Sequence, residues 1–146
     1  MLIHILRKTK RGVIKIKFYL SHPIRGSKGK DATAEDMQKN NDVAIAIANY
    51  LRENITTHIS IHVPAEMEEF VLTAYYLGVL TEGQILAVDC KIIEGCDAVI
   101  LYAPEGIIGG GCKIELDYAT KHGIPVFIGR DADMLLNMVA NFILRT

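Results

Sequence analysis

The sequence predicts an α/β fold in which a mainly parallel sheet of about five strands lies between two layers of helices. Two observations lead to this prediction. Short apolar segments rich in β-branched and aromatic residues alternate along the chain with longer segments of helical periodicity. In addition, the segment Asp97–Ala103 (DAVILYA) is almost continuously apolar, which is typical of a strand buried on both faces of a parallel sheet.

The composition is that of a globular protein that needs no metal or disulfide to fold. The chain has 146 residues, enough for one domain, and half of them are apolar. Its formal net charge of -1 argues against a broad nucleic-acid-binding surface. The three cysteines match no zinc-binding spacing, and the first residues lack the order of a signal peptide. We therefore expect a cytoplasmic protein with reduced thiols that acts neither on nucleic-acid polymers nor at membranes.

Four segments have the composition and length of strands. They are Val13–Leu20, His58–Val63, Asp97–Ala103 and Ile124–Gly129. Residues 1–12, which include the basic run RKTKRG, are expected to form an N-terminal extension. Residues 13–146 are expected to form a single domain.

Five helices are predicted between and after these strands. Their signals are, in order, a capping-box spacing of Thr33 and Asp36, Pro64 at a helix start, apolar spacing from about Gln84 to Glu94, a stop at Gly123, and a cap at Asp131 or Asp133. This alternation is that of a single-domain Rossmann-like or flavodoxin-like three-layer sandwich. In such folds, ligands bind beyond the carboxyl ends of the strands.

Two acidic residues lie on helix faces that should be buried. Asp89 comes four residues after Ile85 and four before Ile93, and Glu115 shares helical spacing with Tyr118. A carboxylate that leaves water without a partner costs several kcal/mol. Each acid is therefore either paired with a cation or backbone amide, or placed to act on a ligand as a nucleophile, a general acid or base, or an acceptor for a sugar hydroxyl.

Two glycine-containing loops have the composition of an anion site. Three glycines, from Gly109 to Gly111, precede the helix that carries Glu115, where backbone N–H groups suit a phosphate. In the loop PIRGSKGK, Arg25 can bind an oxyanion through two hydrogen bonds and Gly26 permits close approach. The alternative is that these glycines serve only tight turns. Neither loop matches a P-loop or a dinucleotide-binding motif.

Other polar residues near the predicted strand ends are weaker candidates. Cys112 is either a nucleophile or a small core residue. His22 and Tyr19, at the end of the first strand, either contact a ligand or serve the fold. His58 and His62 share one face of a strand without a further ligand nearby in the sequence, so no metal site is predicted.

Three segments in this order resemble the nucleoside 2-deoxyribosyltransferase superfamily. They are FYLSHPIRG, DCKIIEGCDAVILY and GGGCKIELDYATKHGIPV. The Tyr-x5-Arg-Gly element of the first segment is most similar to the 2'-deoxynucleoside 5'-monophosphate N-hydrolase branch. The resemblance covers most of the chain from Lys15 to Phe142.

The resemblance implies cleavage of the N-glycosidic bond between a base and a deoxyribose, without a cofactor. Glu115 matches the family nucleophile, which attacks the anomeric carbon and forms a glycosyl-enzyme ester. Asp89 matches the second acid, which protonates the leaving base or holds a sugar hydroxyl. Tyr19 matches a tyrosine that orients the nucleophile.

The resemblance also implies a substrate-binding set and a homo-oligomer, a dimer or larger. Asn137 matches a position from which a neighbouring subunit completes the site. The residues implied in binding the substrate and its 5'-phosphate are Ser21, His22, Ile24, Arg25, Gly26, Gly109, Gly111 and Asn137. Two departures stand out, because Gly109 replaces an aspartate or serine and Asp117 replaces a glycine.

Several functions therefore stay open from the sequence. The first hypothesis is a hydrolase that acts on a 2'-deoxynucleoside 5'-monophosphate, because PIRG favours a phosphate. The second is a transferase that exchanges bases on free deoxynucleosides. The third is a non-catalytic nucleotide-binding or sensor module. A receiver-like signalling domain fits poorly, because Ser21, His22 and Pro23 stand where acids should cluster.

Overall fold

A computed structural model of the protein describes residues 8–9, 12–13 and 15–146. Two short strands, β1 (Lys8–Thr9) and β2 (Gly12–Val13), pair antiparallel near the N-terminus. The rest of the predicted N-terminal extension lies outside the described residues. The strand predicted from Val13 begins at Ile16.

The main sheet has four parallel strands in the order β4-β3-β5-β6. These strands are β3 (Ile16–Ser21), β4 (Ile59–His62), β5 (Ala98–Tyr102) and β6 (Val126–Gly129). All four were predicted, but the expected total of about five strands was wrong for the described residues. A flavodoxin-like sheet has the order 2-1-3-4-5, and the order here is 2-1-3-4 because no described segment adds a strand beside β6.

The described residues also form five α-helices and two 3-10 helices, all between or after the strands of the main sheet. The α-helices are α1 (Ala34–Asn54), α2 (Glu68–Tyr76), α3 (Glu82–Glu94), α4 (Gly110–Lys121) and α5 (Ala132–Arg145), and the 3-10 helices are Gly26–Asp31 and Pro64–Met67. The predicted Thr33–Asp36 capping box is present, and Asp131 rather than Asp133 caps α5. A second capping box, between Thr81 and Gln84, begins α3.

The helices cover both faces of the sheet, which confirms the predicted three layers. Successive strand residues point to opposite faces. Phe18 belongs to the larger core with α1 and α5, whereas Tyr19 belongs to the core with α3 and α4. Tyr19 therefore faces the same helices as the two acids that sequence periodicity placed in the interior.

Helix α2 differs from the other four α-helices of the described residues because none of its residues is buried. Its main packing partner is the 3-10 helix Pro64–Met67. Phe70 and Tyr76 are 71% and 79% exposed, respectively. An apolar surface of this kind marks a ligand or protein contact in many soluble proteins. No helix in the described ranges combines the length and apolar character needed to cross a membrane.

Candidate active site

The sheet topology brings the candidate residues to one edge. The chain passes from β3 to β4 on one side and returns to β5 on the other, so strand order reverses between β3 and β5. Ser21, at the end of β3, is in register with Leu101 of β5. In parallel sheets the crevice at such a reversal is the usual ligand site. The loops after β3 and β5 meet at this crevice.

Three side chains predicted to be catalytic come together behind this edge. Tyr19 extends from β3, Asp89 from α3 and Glu115 from α4, and the charges of both acids act on Tyr19. Glu115 is only 8% exposed, and no lysine or arginine of the described ranges forms an ion pair with it. The Tyr19 hydroxyl and Glu115 Oε2 are buried without a hydrogen-bond partner in the described structure. Buried polar atoms without a hydrogen-bond partner need an explanation, and a ligand-binding site is one.

Burial changes the protonation of these groups. It raises the pKa of Glu115 to about 7, and the charge of Asp89 acts in the same direction. Burial also raises the pKa of Asp89 to about 6. Ionised Asp89 repels a charge on Glu115, so the two acids titrate as a coupled pair. Burial raises the pKa of Tyr19, and the two acids raise it further, so the tyrosine keeps its proton as a donor.

Three further candidate residues border the cluster: Ser21 at the end of β3, and Gly111 and Cys112 in the first turn of α4. Ser21 Oγ donates a hydrogen bond to Cys112 Sγ at 3.3 Å, and both residues are buried. A Cβ atom on Gly111 would be crowded by Leu86 Cδ2 at 3.3 Å, whereas its 4.0 Å distance to Glu115 Oε1 is an ordinary contact, so the glycine serves the close packing of α4 on α3. Burial raises the pKa of Cys112 to about 11, which makes its thiol unsuited to the role of a nucleophile.

Two histidines near the cluster have different surroundings. His22 is buried, and its Nε2–H donates to Asn41 Oδ1 at 2.7 Å, so this side chain is engaged within the fold. His62 stacks on Tyr19 with 5.5 Å between ring centroids. His62 was not predicted as a site residue, although its place at the carboxyl end of a strand is a usable signal.

A cavity of about 440 Å³ opens beside Asp89. Arg25 and His62 also line this cavity, which is the larger of the two that Arg25 lines, and most of its wall is apolar. The apolar lining includes Ile24, Phe70, Val71, Tyr75, Leu80, Ile85, Val88 and Ile92. A volume of this size and an apolar wall with few polar groups are typical of small-molecule sites.

A smaller cavity of about 170 Å³ has a more basic lining. Arg25 and Gly26 line it together with His22, Lys28 and Lys39. Lys28 is paired with Asp36 at 2.9 Å. Neither lysine was predicted as a site residue. Lys28 lies within the PIRGSKGK loop, whereas Lys39 looks like any exposed helix lysine in the sequence.

Arg25 joins the two cavities, because its side chain lines both. The loop shape that places it depends on its neighbours. Gly26 has a φ of 59°, which a residue with a Cβ rarely adopts. Asn40 Nδ2 donates to the Ile24 carbonyl at 2.9 Å and would be 3.1 Å from a Cβ on Gly26.

Some predicted residues are not brought to these cavities. Glu115, Gly109 and Gly111 line neither of them, so the acid cluster reaches the larger cavity through Asp89. Asn137 is exposed on α5, across the sheet from α4. Within one chain it cannot complete a site at Glu115. The described residues contain no group of three or more side chains suited to hold a metal ion.

The fold and this cluster define a class: an α/β protein of reversed strand order with a buried carboxylate, Glu115, and a half-buried one, Asp89, at the reversal point. No family model matches the chain, and no curated protein or solved structure matches it either. The function is therefore inferred from the geometry of the cluster and the cavities and from the motifs in the sequence.

The buried carboxylate should also affect stability in a pH-dependent way. The folded pKa of Glu115, about 7, exceeds its ordinary value of 4.5, so the folded state favours the protonated form. This contribution is complete below the unfolded pKa and is lost as pH rises through the folded pKa. The free energy of unfolding of Glu115→Gln should therefore equal that of the parent at about pH 4 and exceed it by ~1–3 kcal/mol at about pH 8. Urea unfolding at the two pH values measures this difference.

Glu105→Gln is the control for this comparison, because Glu105 is an exposed glutamate in the loop after β5. Because the substitution is on the surface, the free energy of unfolding of Glu105→Gln should stay within ~0.5 kcal/mol of that of the parent. An equal pH trend in parent and Glu115→Gln would show that Glu115 is not the buried acid described here.

Proposed function

We propose that the protein cleaves the N-glycosidic bond of a 2'-deoxynucleoside 5'-monophosphate. The observation that carries this proposal is the buried, cation-free carboxylate of Glu115 beside Asp89 and Tyr19. A structural acid would be expected to have a cationic or backbone partner. The order of the three resembling segments adds support, because it assigns these same three residues to catalysis.

The proposed reaction is a double displacement at the anomeric carbon. An oxygen of ionised Glu115 attacks C1', the C1'–N bond breaks, and its electron pair leaves with the base. Water then hydrolyses the resulting ester, so the configuration at C1' is retained. The Tyr19 hydroxyl lies close enough to affect Glu115 and keeps its proton, which suits it to orient the carboxylate.

Two roles remain for Asp89, and its pKa bears on both. Because this pKa is about 6 and that of Glu115 is about 7, Asp89 is the more ionised acid at neutral pH. An ionised Asp89 is suited to accept a hydrogen bond from a sugar hydroxyl. The molecules in which Asp89 keeps its proton can donate it to the leaving base.

The two cavities suit different parts of the proposed substrate. The larger cavity, with Asp89 in its wall and an apolar lining, suits a flat base. The smaller cavity is lined by Arg25, Lys28 and Lys39 and by two acids, Asp36 and Glu105. Asp36 is paired with Lys28. Arg25 and Lys39 form no ion pair in the described structure, so the net positive charge suits a phosphate. Arg25, in the wall of both, would lie between phosphate and base.

A homo-oligomer is part of the proposal. Asn137 is exposed and lies across the sheet from Glu115, so it can act at this site only in a second copy of the chain. Light scattering on the purified protein measures the oligomeric state, and a strict monomer would remove Asn137 from the proposed site.

A substrate panel tests the function. The protein is incubated with deoxynucleoside monophosphates and free deoxynucleosides, with and without an acceptor base, and released base is measured by chromatography. Free base from monophosphates alone is the expected result. New nucleosides would instead indicate a transferase. Tight binding without turnover, unaltered in Glu115→Gln, would indicate a sensor and overturn the proposal.

Arg25→Ala should mainly raise KM for monophosphates, by about 10- to 100-fold, with little change in kcat. The physical reason is the loss of a charge-assisted hydrogen bond that substrate and transition state share equally. Lys30→Ala is the matched control, because Lys30 is an exposed cation of the same loop that lines neither cavity. An unaltered KM in Arg25→Ala would remove the phosphate from this loop.

A further inference from the structure

The hydroxyl of Ser21 lies next to two acceptors. Its Oγ donates to Cys112 Sγ at 3.3 Å, and both side chains are buried. Cys112 and Glu115 are three residues apart on α4, so they share one face of that helix. Burial is the main influence on the pKa of Glu115, and Ser21 is among the groups that lower it by hydrogen bonding. The single hydroxyl proton of Ser21 can therefore be donated in a hydrogen bond either to the thiol of Cys112 or to the carboxylate of Glu115.

The balance between these acceptors depends on their charge. Cys112 is a neutral thiol over the physiological range, because burial raises its pKa to about 11. A neutral sulfur is a weak acceptor, whereas an ionised carboxylate is a strong one. The Ser21–Cys112 hydrogen bond is nevertheless the one present, and Glu115 Oε2 has no partner in the described structure.

We propose that Cys112 is a positioning residue that holds the Ser21 hydroxyl and so leaves a carboxylate oxygen of Glu115 unpartnered. This inference rests on the proposed function, because an unpartnered oxygen is an advantage only if Glu115 is the nucleophile. A hydrogen bond to an ionised carboxylate stabilises its charge and makes it a weaker base and nucleophile. By engaging Ser21, the thiol weakens the stabilisation that this hydroxyl gives the carboxylate, while Tyr19 still acts on Glu115.

The other groups that act on Glu115 come from neighbouring elements. Tyr19 acts on it from β3 and Asp89 from α3. Glu115 in turn raises the pKa of Cys90 on α3, after the larger effect of burial. None of these three is altered in the variants below, so a change in the titration of Glu115 reports on the hydroxyl of Ser21.

The experiment is a pH titration of the Glu115 carboxyl by carbon NMR in the full-length protein labelled at glutamate side chains. The resonance is identified by its loss in Glu115→Gln. In the parent the midpoint is expected near 7. In Cys112→Ala the released hydroxyl can turn to the carboxylate, and the midpoint should fall by about one pH unit. Cys112→Val, which restores volume without an acceptor, should give the same fall and replaces Cys112→Ala if that variant does not fold.

Ser21→Ala provides the matched control, because it removes the hydroxyl that the two acceptors share. In this background Cys112→Ala should leave the midpoint unchanged, which is the coupling expected for two residues that act through one group. Two results would overturn the proposal. One is a midpoint in Cys112→Ala equal to that of the parent, and the other is an equal fall with and without Ser21.

The titration separates this inference from the proposed function, because it needs no substrate. A shifted midpoint in a protein that cleaves no deoxynucleotide would support the role of Cys112 and reject the function. If the protein is active, the acid limb of the kcat/KM profile should move to lower pH with the midpoint. A purely structural role of Cys112 would lower the melting temperature and leave that limb in place.

Discussion

Glu115→Gln is expected to lower kcat for deoxynucleoside monophosphate cleavage by at least about 1,000-fold. Glutamine has nearly the same shape but cannot form the glycosyl ester as a carboxylate does. Glu115 forms no ion pair in the described structure, so the substitution breaks no charge partner and the fold should persist. Base release is measured by chromatography, and folding by circular dichroism and thermal unfolding.

Asp117→Asn is the matched control, because Asp117 is an exposed acid two residues further along the same helix. It is paired only with Lys113 at 3.2 Å on the surface, so its loss should change kcat less than about twofold. Full turnover in Glu115→Gln would reject Glu115 as the nucleophile. A folded variant that still binds substrate but releases no base is the expected outcome.

Phe18→Ala is expected to reduce the free energy of unfolding by ~3–5 kcal/mol. Phe18 is fully buried on β3 and contacts the ring of Phe142 from α5, with 5.8 Å between centroids. Its removal leaves a cavity where the sheet packs against α5, and neighbouring side chains can close such a cavity only in part. Urea unfolding of the purified variant measures the loss.

Phe70→Ala is the matched control for the same chemical change. Phe70 is 71% exposed on α2, so its removal from a single chain should alter stability by no more than ~0.5 kcal/mol. A loss as large as that of Phe18→Ala would mean that this face of α2 is covered in solution. Equal small effects at both positions would contradict the core assigned to β3.

Periodicity and capping were enough to locate most elements. The Thr33–Asp36 box, the apolar run of β5 and the alternation in β3 all act over a few residues, so they appear directly in the sequence. The capping box at Thr81 has the same local character, and it was missed because the helix was predicted to begin only at about Gln84. The number of strands was less certain, because strand count depends on which segments pair across the sheet.

The candidate site was predictable only in part. A charged residue on an apolar helix face signals burial, and this signal correctly placed Glu115 in the interior. The sequence could not show that Tyr19 and both acids would meet, since they are separated by 70 and 26 residues and meet only through sheet order and helix packing. The same limitation hid the stacking of His62 on Tyr19, which follows from the pairing of β3 with β4.

By itself, the sequence determined the α/β class, the four strands and the burial of Glu115, because each depends on periodicity within a short window. Asp89, which was also expected to be buried, is only half-buried because it borders the cavity beside α3. Only the tertiary structure decided that Ser21 bonds to Cys112, that Arg25 stands between two cavities, and that α2 leaves its apolar side chains exposed. These features depend on distances between residues far apart in the chain, which are set by packing of whole elements rather than by any local pattern.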